Sequence, residues 1–530
     1  MPPVPISEAE ATPVGRRLAT AALIVIAATA ASRGFGYVRE IAAAAFFGAG
    51  ADKSAFDVAF LVPSTVQILV AQAALSAALI PVFAGLLEKG ERQEAWLVAR
   101  TVFTLMMLVL GVVVAVCIIF APSIMPLFAP GYRHDTVMMA KIVYMSRLLF
   151  PTVLLLAATG VFISVLNSFD HFTLPAIAPI VWNVVILLAI FFGSGRLGID
   201  ALAWGVLLGT LAQLAMQMPA LTGRGGRLGW GLSWRNPYVR QVGALMLPVS
   251  LSLGLINLNG VIDIQFASFL GQGGVAAMNY AFRLYQLPES LFAIAVGTVL
   301  FPTLSKLVAR KDYDSFRDTV SLGLRAIFFI LIPATAFMLA MSTPLVRLAY
   351  QHGQFGAGST ALVASSLFFF AFGSAFSGGS ALLTRGFFSL SRPWIPTTVA
   401  VFNLGVNAFL NWLFIKPFGL GGIPLSTSVV SACTFFVLLI LLRRELGRIN
   451  GRAVLRSALA AVALSIAAVL GGFAAWRMLD GALGRSLSAQ MVSLFAGILA
   501  VTAIYLVLAR LHKMPELQLA GLLRRSNNKT

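Results

Sequence analysis

Long apolar segments with almost no charge recur along the whole chain, and they restrict its fold more than any other feature. A transmembrane helix needs about 20 consecutive, mostly apolar residues. Fourteen segments of at least that length are separated by short connections. The sequence therefore predicts an all-α polytopic membrane protein with about 14 transmembrane helices, at residues 18–46, 55–86, 95–121, 140–168, 173–194, 199–221, 239–269, 274–305, 317–342, 358–383, 394–415, 423–442, 455–476 and 487–509.

The low content of charged residues excludes a soluble protein of this length. Charged residues make up 11% of the 530 residues, and hydrophobic residues make up 59%. Soluble domains carry about 25% charged residues, so this chain lacks the polar side chains that would cover a water-exposed surface. A soluble enzyme of two or three domains is therefore excluded.

The positive charges are distributed unevenly between alternate connections, which predicts the orientation in the membrane. The chain has 38 Lys and Arg against 19 Asp and Glu. With the N-terminus in the cytoplasm, the cytoplasmic segments hold 24 of these basic residues and the opposite loops hold 7. Because cytoplasmic loops collect Lys and Arg, we expect both termini in the cytoplasm. The same rule accounts for the positive charge without nucleic acid as a partner.

The order of spans and connections predicts two lobes and an appendix. We expect an N-lobe at 1–221, a basic cytoplasmic linker at 222–238 and a C-lobe at 239–442. Two further spans form an appendix at 443–511, and a cytoplasmic tail follows at 512–530. Six plus six spans is the pattern of transporters built from parallel repeats, whose substrate path lies between the halves.

Charged residues inside two predicted spans are the first candidate site. A charge in a spanning segment costs a few kcal/mol on insertion scales, so it needs a partner, a water-filled cavity or a function. Span 1 carries Arg33, Arg39 and Glu40, and span 8 carries Arg283 followed by Glu289. For Arg39 and Glu40, snorkelling to the membrane interface is the competing interpretation. For Arg283 we expect a place in the lining of a cavity.

Three polar residues in the second half of the chain form a second candidate site. Asp263 lies inside span 7, and Asn403 and Asn407 lie four residues apart on one face of span 11. One carboxylate and two amide oxygens can bind a hard cation. The alternative is a hydrogen-bonded polar contact between helices. The sequence predicts no resident cofactor, and Na⁺ or H⁺ is the candidate coupling ion.

Sequence motifs of ATP hydrolysis, metalloproteases, redox thiols and serine hydrolases are absent. The chain is therefore predicted to be a transporter without its own ATPase, and not an enzyme. Guanidinium groups bind carboxylate and phosphate through paired hydrogen bonds. Several arginines and few acids in the spans thus favour an anionic substrate that carries phosphate or pyrophosphate.

Several of these segments together resemble a known family. The chain is similar to the MurJ (MviN) lipid II flippases of the MOP exporter superfamily, and the resemblance covers spans 1–12. It is carried by SRGFGYVREIAAAAFFGAGADKSAFDVAFLVPS (32–64), SRLLFP (146–151), VLNSFDHFTLPAIAPIVWN (165–183), FASFL (266–270), NYAFRLYQLP (279–288) and VGTVLFPTLSK (296–306).

The resemblance implies a fold, a substrate and site residues. It implies two six-helix lobes around a central cavity, with two C-terminal helices that flank a lipid groove. It implies alternating access that moves undecaprenyl-pyrophosphate-linked peptidoglycan precursor across a bacterial inner membrane for cell-wall synthesis. By motif, Arg33, Arg39 and Arg283 match essential cavity arginines of the family. Asp263 with Asn403 matches a cation site proposed for it.

The chain also departs from the family pattern. Gln67, Ile68 and Gln72 stand where a basic pair and an acid are usual, and Gln67 and Glu40 complete the candidate substrate-binding set. Phe282 replaces the acid that commonly precedes the span-8 arginine, and Ser54 stands in place of an Asp. These departures leave open a flippase for another polyprenyl-pyrophosphate glycan, of O-antigen, capsule or teichoic type. A drug exporter for cations fits less well, because three arginines in the cavity would disfavour a cationic substrate. A membrane glycosyltransferase also fits less well, because it needs a catalytic carboxylate and a sizeable outer loop, and the longest outer loop, 122–139, has one acid, Asp135.

Overall fold

The computed structural model describes residues 13–66, 74–224, 226–447 and 449–517. In these ranges the chain is helical, with short connections and no β-strand. The helices are α1 Pro13–Phe47, α2 Ala51–Val66, α3 Ala74–Glu88, α4 Arg92–Ile119, α5 Ala121–Phe128, α6 Thr136–Leu149, α7 Pro151–Ser168, α8 Thr173–Leu197, α9 Asp200–Gln217, α10 Pro237–Ala267, α11 Gly274–Pro288, α12 Ile294–Ala309, α13 Tyr313–Ala340, α14 Ser342–Tyr350, α15 Ala357–Ala371, α16 Ser374–Ser389, α17 Trp394–Phe418, α18 Gly422–Leu446, α19 Gly451–Leu483 and α20 Leu487–Leu511.

Every predicted span coincides with one helix or with consecutive helices, and the all-helical membrane fold is confirmed. In the described ranges, eight helices are long and apolar enough to cross a membrane, or nine if α15 and α16, which meet at 46°, count as one span. Consecutive α17 and α18 enter that count as one segment. In predicted span 4 a one-residue interruption at Phe150 separates α6 from α7, which begins at Pro151, and the two count as one membrane-crossing segment. Predicted span 8 stays helical past Pro288, where α11 passes into a short π-helix and then into α12, because proline removes a backbone donor and disturbs the preceding turn.

One compact unit comprises Met1–Phe47, Val58–Pro126 and Thr136–Gly254. Its core lies among α3, α4, α7 and the start of α10. Phe83 is the centre of an aromatic cluster there, with edge-on contacts to Trp96 and Phe169 at 5.8 and 5.7 Å between ring centres. In the same unit α8 packs against both α1 and α9.

The second unit comprises Gly48–Asp57, Leu127–Asp135 and Leu255–Thr530. Its core is formed by α12, α13, α16 and α18. Two short segments from the first part of the sequence are built into this unit through hydrogen bonds. Ser54 Oγ accepts from the backbone N–H of Ala276 at 3.1 Å, and Tyr132 donates to the carbonyl of Gly271 at 3.0 Å.

The last two long helices pack against each other and against α13 and α14 of the same unit. Tyr505 on α20 donates to the carbonyl of Phe329 on α13 at 2.9 Å. After α20 the chain turns back, and Glu516 accepts from Arg325 on α13 and from Ser457 on α19, at 2.7 Å each. These bonds fix the C-terminal pair to α13. The predicted lobe boundaries remain predictions.

Candidate functional site

Arg39 is fixed against neighbours in α1 and α8. Its guanidinium donates to Glu40 Oε1 at 2.6 Å, and only 15% and 13% of the two side chains are exposed. The guanidinium also lies 4.8 Å from the centre of the Trp182 ring, in a cation–π contact. Trp182 is itself oriented by a hydrogen bond from its indole N–H to Thr210 Oγ1 at 3.1 Å. The structure thus brings Arg39 and Glu40 together and holds the arginine in place.

Arg33 lies on the same helix and is exposed. Next to it, α1 comes close to α8, where Asn183 Nδ2 donates to the carbonyl of Ser32 at 3.4 Å. The same amide donates to the carbonyl of Pro179 within α8 at 2.9 Å. A Cβ at Gly36 would lie 4.0 Å from Asn183 Oδ1, an ordinary contact distance, so the approach does not require glycine at this position. The backbone beside Arg33 is therefore positioned by α8 while its guanidinium is exposed.

Arg283 is exposed on α11 in the second unit, and the opposite side of that helix is buried. Tyr280 and Tyr285 on the buried side are 1% and 4% exposed. Phe282 contacts Tyr285 and Phe370, with ring centres 5.9 and 5.5 Å apart. The residue before the arginine therefore contributes aromatic packing and not a carboxylate.

Glu289, six residues after Arg283, belongs to a contact between helices. It begins a short π-helix, Glu289–Ala293, that follows α11. Its Oε1 accepts a hydrogen bond from Ser377 on α16 at 2.7 Å. The second span-8 charge of the sequence analysis thus joins α11 to α16.

Asp263 is the centre of a buried polar network between α10, α17 and α18. The carboxylate is 7% exposed. Its two oxygens accept from Asn411 Nδ2 at 2.9 Å and from Thr427 Oγ1 at 3.1 Å. Asn411 Nδ2 also donates to Asn407 Oδ1 at 3.1 Å. The structure thus places Asp263 and Asn407, which sequence reasoning had grouped, in one network.

Asn403, the third residue of the predicted cation set, bonds elsewhere. Its amide nitrogen donates to Thr434 Oγ1 at 2.7 Å. Asn403 lies one helical turn before Asn407 on α17, and Thr434 lies about two turns after Thr427 on α18. The hydrogen bond from Asn403 to Thr434 therefore also joins α17 and α18, next to the network around Asp263.

The network has the chemistry of a small cation site. Asn411 Oδ1 is buried and has no hydrogen-bond partner in the part of the chain that the structure describes. A buried acceptor of this kind loses its hydration without compensation unless a donor or a cation binds it. The carboxylate of Asp263, two amide oxygens and a hydroxyl are oxygen ligands that hard cations prefer. In the described ranges no three His, Cys, Asp or Glu residues come together as metal ligands.

Two residues of this network, Asn411 and Thr427, were missed by sequence reasoning. The first could have been found, because Asn403, Asn407 and Asn411 follow at intervals of four residues and share one face of a helix. Thr427 gave no such signal, since its partner lies 164 positions earlier in the chain.

A buried ion pair was also missed. Lys53 and Asp57 form an ion pair at 2.5 Å, with side chains 4% and 10% exposed. Lys53 Nζ lies 4.8 Å from the centre of the Tyr280 ring. Gln67, the remaining candidate of the sequence analysis, lies outside the described residues.

Comparisons with known proteins assign the chain to a family. The family profile described as "Lipid II flippase MurJ" matches residues 43–507. The lipid II flippase MurJ of Burkholderia cenocepacia is 31% identical over 433 residues, which is 81% of this chain and 84% of that protein. A protein of Synechocystis sp. named "Probable lipid II flippase MurJ" is 29% identical over 525 residues, covering 96% and 97% of the two chains.

Solved structures share the fold. A lipid II flippase MurJ in an inward closed conformation superposes with a TM-score of 0.77 at 22% identity, over 92% of this chain and 99% of that one. An inward-facing multidrug resistance MATE transporter of the MOP superfamily reaches 0.67 at 13% identity, over 79% and 95%. The match over residues 43–507 and the relative that is 31% identical over 81% of this chain therefore agree: the chain belongs to the MurJ family of lipid II flippases.

Proposed function

We propose that this chain is a lipid II flippase. It moves the undecaprenyl-pyrophosphate-linked peptidoglycan precursor from the cytoplasmic to the outer leaflet of a bacterial inner membrane by alternating access, for cell-wall synthesis. The observation that carries the proposal is the family match over residues 43–507. That range includes Arg283 and its motif, NYAFRLYQLP (279–288). Members of the family are transporters and not enzymes.

Arg33, Arg39 and Arg283 each contact the pyrophosphate of the substrate at some stage of transport. A planar guanidinium donates two parallel hydrogen bonds to phosphate oxygens. Arg39 is preorganised for this by Glu40 and by the Trp182 ring, so less side-chain freedom is lost when the substrate binds. Glu40 offsets part of the positive charge of Arg33 and Arg39, which eases release of the substrate.

Na⁺ binding at Asp263 is the proposed coupling step. The ligands are the carboxylate of Asp263, the amide oxygens of Asn407 and Asn411 and the hydroxyl of Thr427. Asn411 Oδ1 is a buried acceptor without a hydrogen-bond partner among the described residues, which supports this assignment. Because the ligands come from α10, α17 and α18, a bound cation stabilises one packing of these helices over others.

Both termini lie in the cytoplasm in this proposal. The excess of basic residues in alternate connections supports that orientation. A reporter fused to each terminus, active only in the cytoplasm, tests it. Activity of both fusions is expected, and loss of either would reverse the assignment of that end.

Complementation of a strain depleted of its own lipid II flippase tests the function. The chain should restore growth and cell shape when it is expressed at the level of the native protein. Arg283→Ala, produced at the same level, should not. Arg485→Ala, which removes an exposed arginine between α19 and α20, is the matched control and should restore growth. Failure of the well-expressed wild-type chain, together with rescue of a strain that lacks a different glycan flippase, would overturn the assignment.

A further inference from the structure

Residues 226–236, here named the strap, run along α4 without regular secondary structure. The backbone N–H groups of Gly231 and Ser233 donate to Thr104 Oγ1 and Thr101 Oγ1 on α4, at 3.0 and 3.3 Å. Arg100 Nε donates to the carbonyl of Arg227 at 2.7 Å. Three hydrogen bonds to α4 therefore hold the segment that the sequence predicted as a linker.

Both ends of the strap are fixed as well. Asn236 donates from its amide to Glu94 Oε1 at 2.5 Å. At the other end, Gly226 lies against the indole of Trp96, where a Cβ would come within 2.4 Å of ring carbons. Only glycine fits there. The strap is thus a built part of the first unit.

The strap presents three large apolar side chains at its surface. Trp230, Leu232 and Trp234 are 73%, 58% and 57% exposed, and the Trp230 ring also contacts Phe103 on α4, with ring centres 6.4 Å apart. They alternate along the strap with Gly231 and Ser233, whose N–H groups bond to α4. Burying such side chains elsewhere in the protein would be favourable, so their exposure indicates a surface that contacts lipid or a partner molecule.

The contact with α4 places this row at a membrane interface. The charged residues of α4 end at Arg100, and no charged residue occurs from Thr101 to Ile119. The strap bonds to α4 at Arg100, Thr101 and Thr104, where the helix changes from charged to apolar. Tryptophan is enriched at this depth of a bilayer, since its ring is apolar and its N–H is polar.

Positive charge accompanies the tryptophans. Residues 222–240 contain four arginines and no acidic residue. Arg227 and Arg235 are exposed on the strap, and Arg240 is exposed in the first turn of α10. The Arg235 guanidinium lies 5.1 Å from the centre of the Trp234 ring. Cation and ring therefore form one surface.

We infer that the strap binds anionic phospholipid headgroups of the adjacent leaflet. Arg227 and Arg235 bind the lipid phosphates, and Trp230 and Trp234 lie between headgroups and acyl chains. The occupant is anionic because the exposed charges of the strap are all positive. Near an anionic surface each arginine contributes about fivefold in affinity, so the pair contributes about 30-fold. The inference does not depend on which substrate the protein transports.

Bromine-labelled lipids test the inference, because bromine quenches tryptophan fluorescence only at short range. The full chain is placed in phosphatidylcholine nanodiscs with increasing fractions of dibrominated phosphatidylglycerol, or of dibrominated phosphatidylcholine. Excess quenching by the anionic lipid is expected, and it should weaken in high salt. Trp230→Phe with Trp234→Phe should remove the excess, which assigns it to the strap among the 8 tryptophans.

A charge-neutral variant and a matched control separate lipid binding from a change in folding. Arg227→Gln with Arg235→Gln should weaken the preference for the anionic lipid about 30-fold. Arg196→Gln with Arg485→Gln, which removes two exposed charges elsewhere, should leave it unchanged. All variants should share one thermal midpoint in neutral lipid. Equal quenching by both brominated lipids would overturn the inference. So would loss of the excess on adding one equivalent of undecaprenyl diphosphate, because the surface would then belong to the transported lipid.

Discussion

Asn411 on α17 donates to the carboxylate of Asp263 on α10 at 2.9 Å, and this bond connects helices 148 positions apart in the chain. The same amide nitrogen also donates to Asn407. Its oxygen is left as a buried acceptor with no partner in the described ranges. The pair therefore fixes the geometry of the site and leaves oxygen atoms for a cation.

Asp263→Asn should weaken Na⁺ binding strongly, because it removes the only carboxylate of the proposed ligand set. Loss of one buried, charge-assisted contact costs about 1.5–3 kcal/mol, or about 10- to 150-fold in affinity. Stabilisation of the purified protein by Na⁺ over K⁺, measured as a shift in thermal midpoint, is the readout. Asn403→Ala is the matched control, since Asn403 bonds to Thr434. An unchanged Na⁺ response in Asp263→Asn would leave the network as a structural contact.

Arg283→Lys should retain part of the activity that Arg283→Ala loses. The ammonium group keeps the charge but cannot donate paired hydrogen bonds to a pyrophosphate. We expect Arg283→Ala to bind the substrate about 10- to 150-fold more weakly, with Arg283→Lys between it and the wild type. Binding of lipid II to the purified variants measures this order. Wild-type affinity of a folded Arg283→Ala variant would remove this arginine from the substrate site.

Trp182→Leu should weaken substrate binding through Arg39. The cation–π contact at 4.8 Å orients the guanidinium, and such contacts contribute about 0.5–2 kcal/mol, which corresponds to about 2- to 30-fold in affinity. Trp394→Leu, at a tryptophan that is 77% exposed on α17, is the control and should bind normally. A Trp182→Leu variant with normal affinity would mean that Glu40 alone is enough to position Arg39.

Lys53→Met and Asp57→Leu should each destabilise the protein, and the double variant should recover much of the loss. Breaking a buried ion pair leaves an uncompensated charge and costs about 3–5 kcal/mol, while replacing both partners with apolar residues is often neutral. Lys53 and Asp57 form a buried ion pair of this kind, since their side chains are only 4% and 10% exposed. Thermal midpoints of the three variants measure the coupling. Additive losses in the double variant would show that the two charges act independently.

The sequence predicted the helices well, because apolar segments of spanning length leave a chain few other structures. Breaks in helices were less predictable. Pro151 begins a new helix, whereas Pro63 and Pro81 lie inside α2 and α3, so packing decides what each proline does.

The candidate sites were predicted in part. The free-energy cost of a charge inside an apolar span singled out Arg33, Arg39 and Arg283. The structure shows how Arg39 is held. Its contact with Trp182 could not be predicted, since the two residues are far apart in sequence and no spacing rule links them. The sequence predicted a basic cytoplasmic linker at 222–238, from its composition and its place between spans 6 and 7. Its hydrogen bonds to Thr101 and Thr104 depend on the fold.

Transport of lipid II into and out of sealed proteoliposomes tests the central claim most directly. Fluorescent lipid II is incorporated into vesicles that contain the purified chain, and the fraction exposed outside is followed with an impermeant quencher. We expect the wild-type chain to make the inner pool accessible much faster than protein-free vesicles do, and Arg283→Ala not to. An inner pool that stays protected with folded wild-type protein, under a Na⁺ gradient of either direction, would show that the chain does not translocate lipid II.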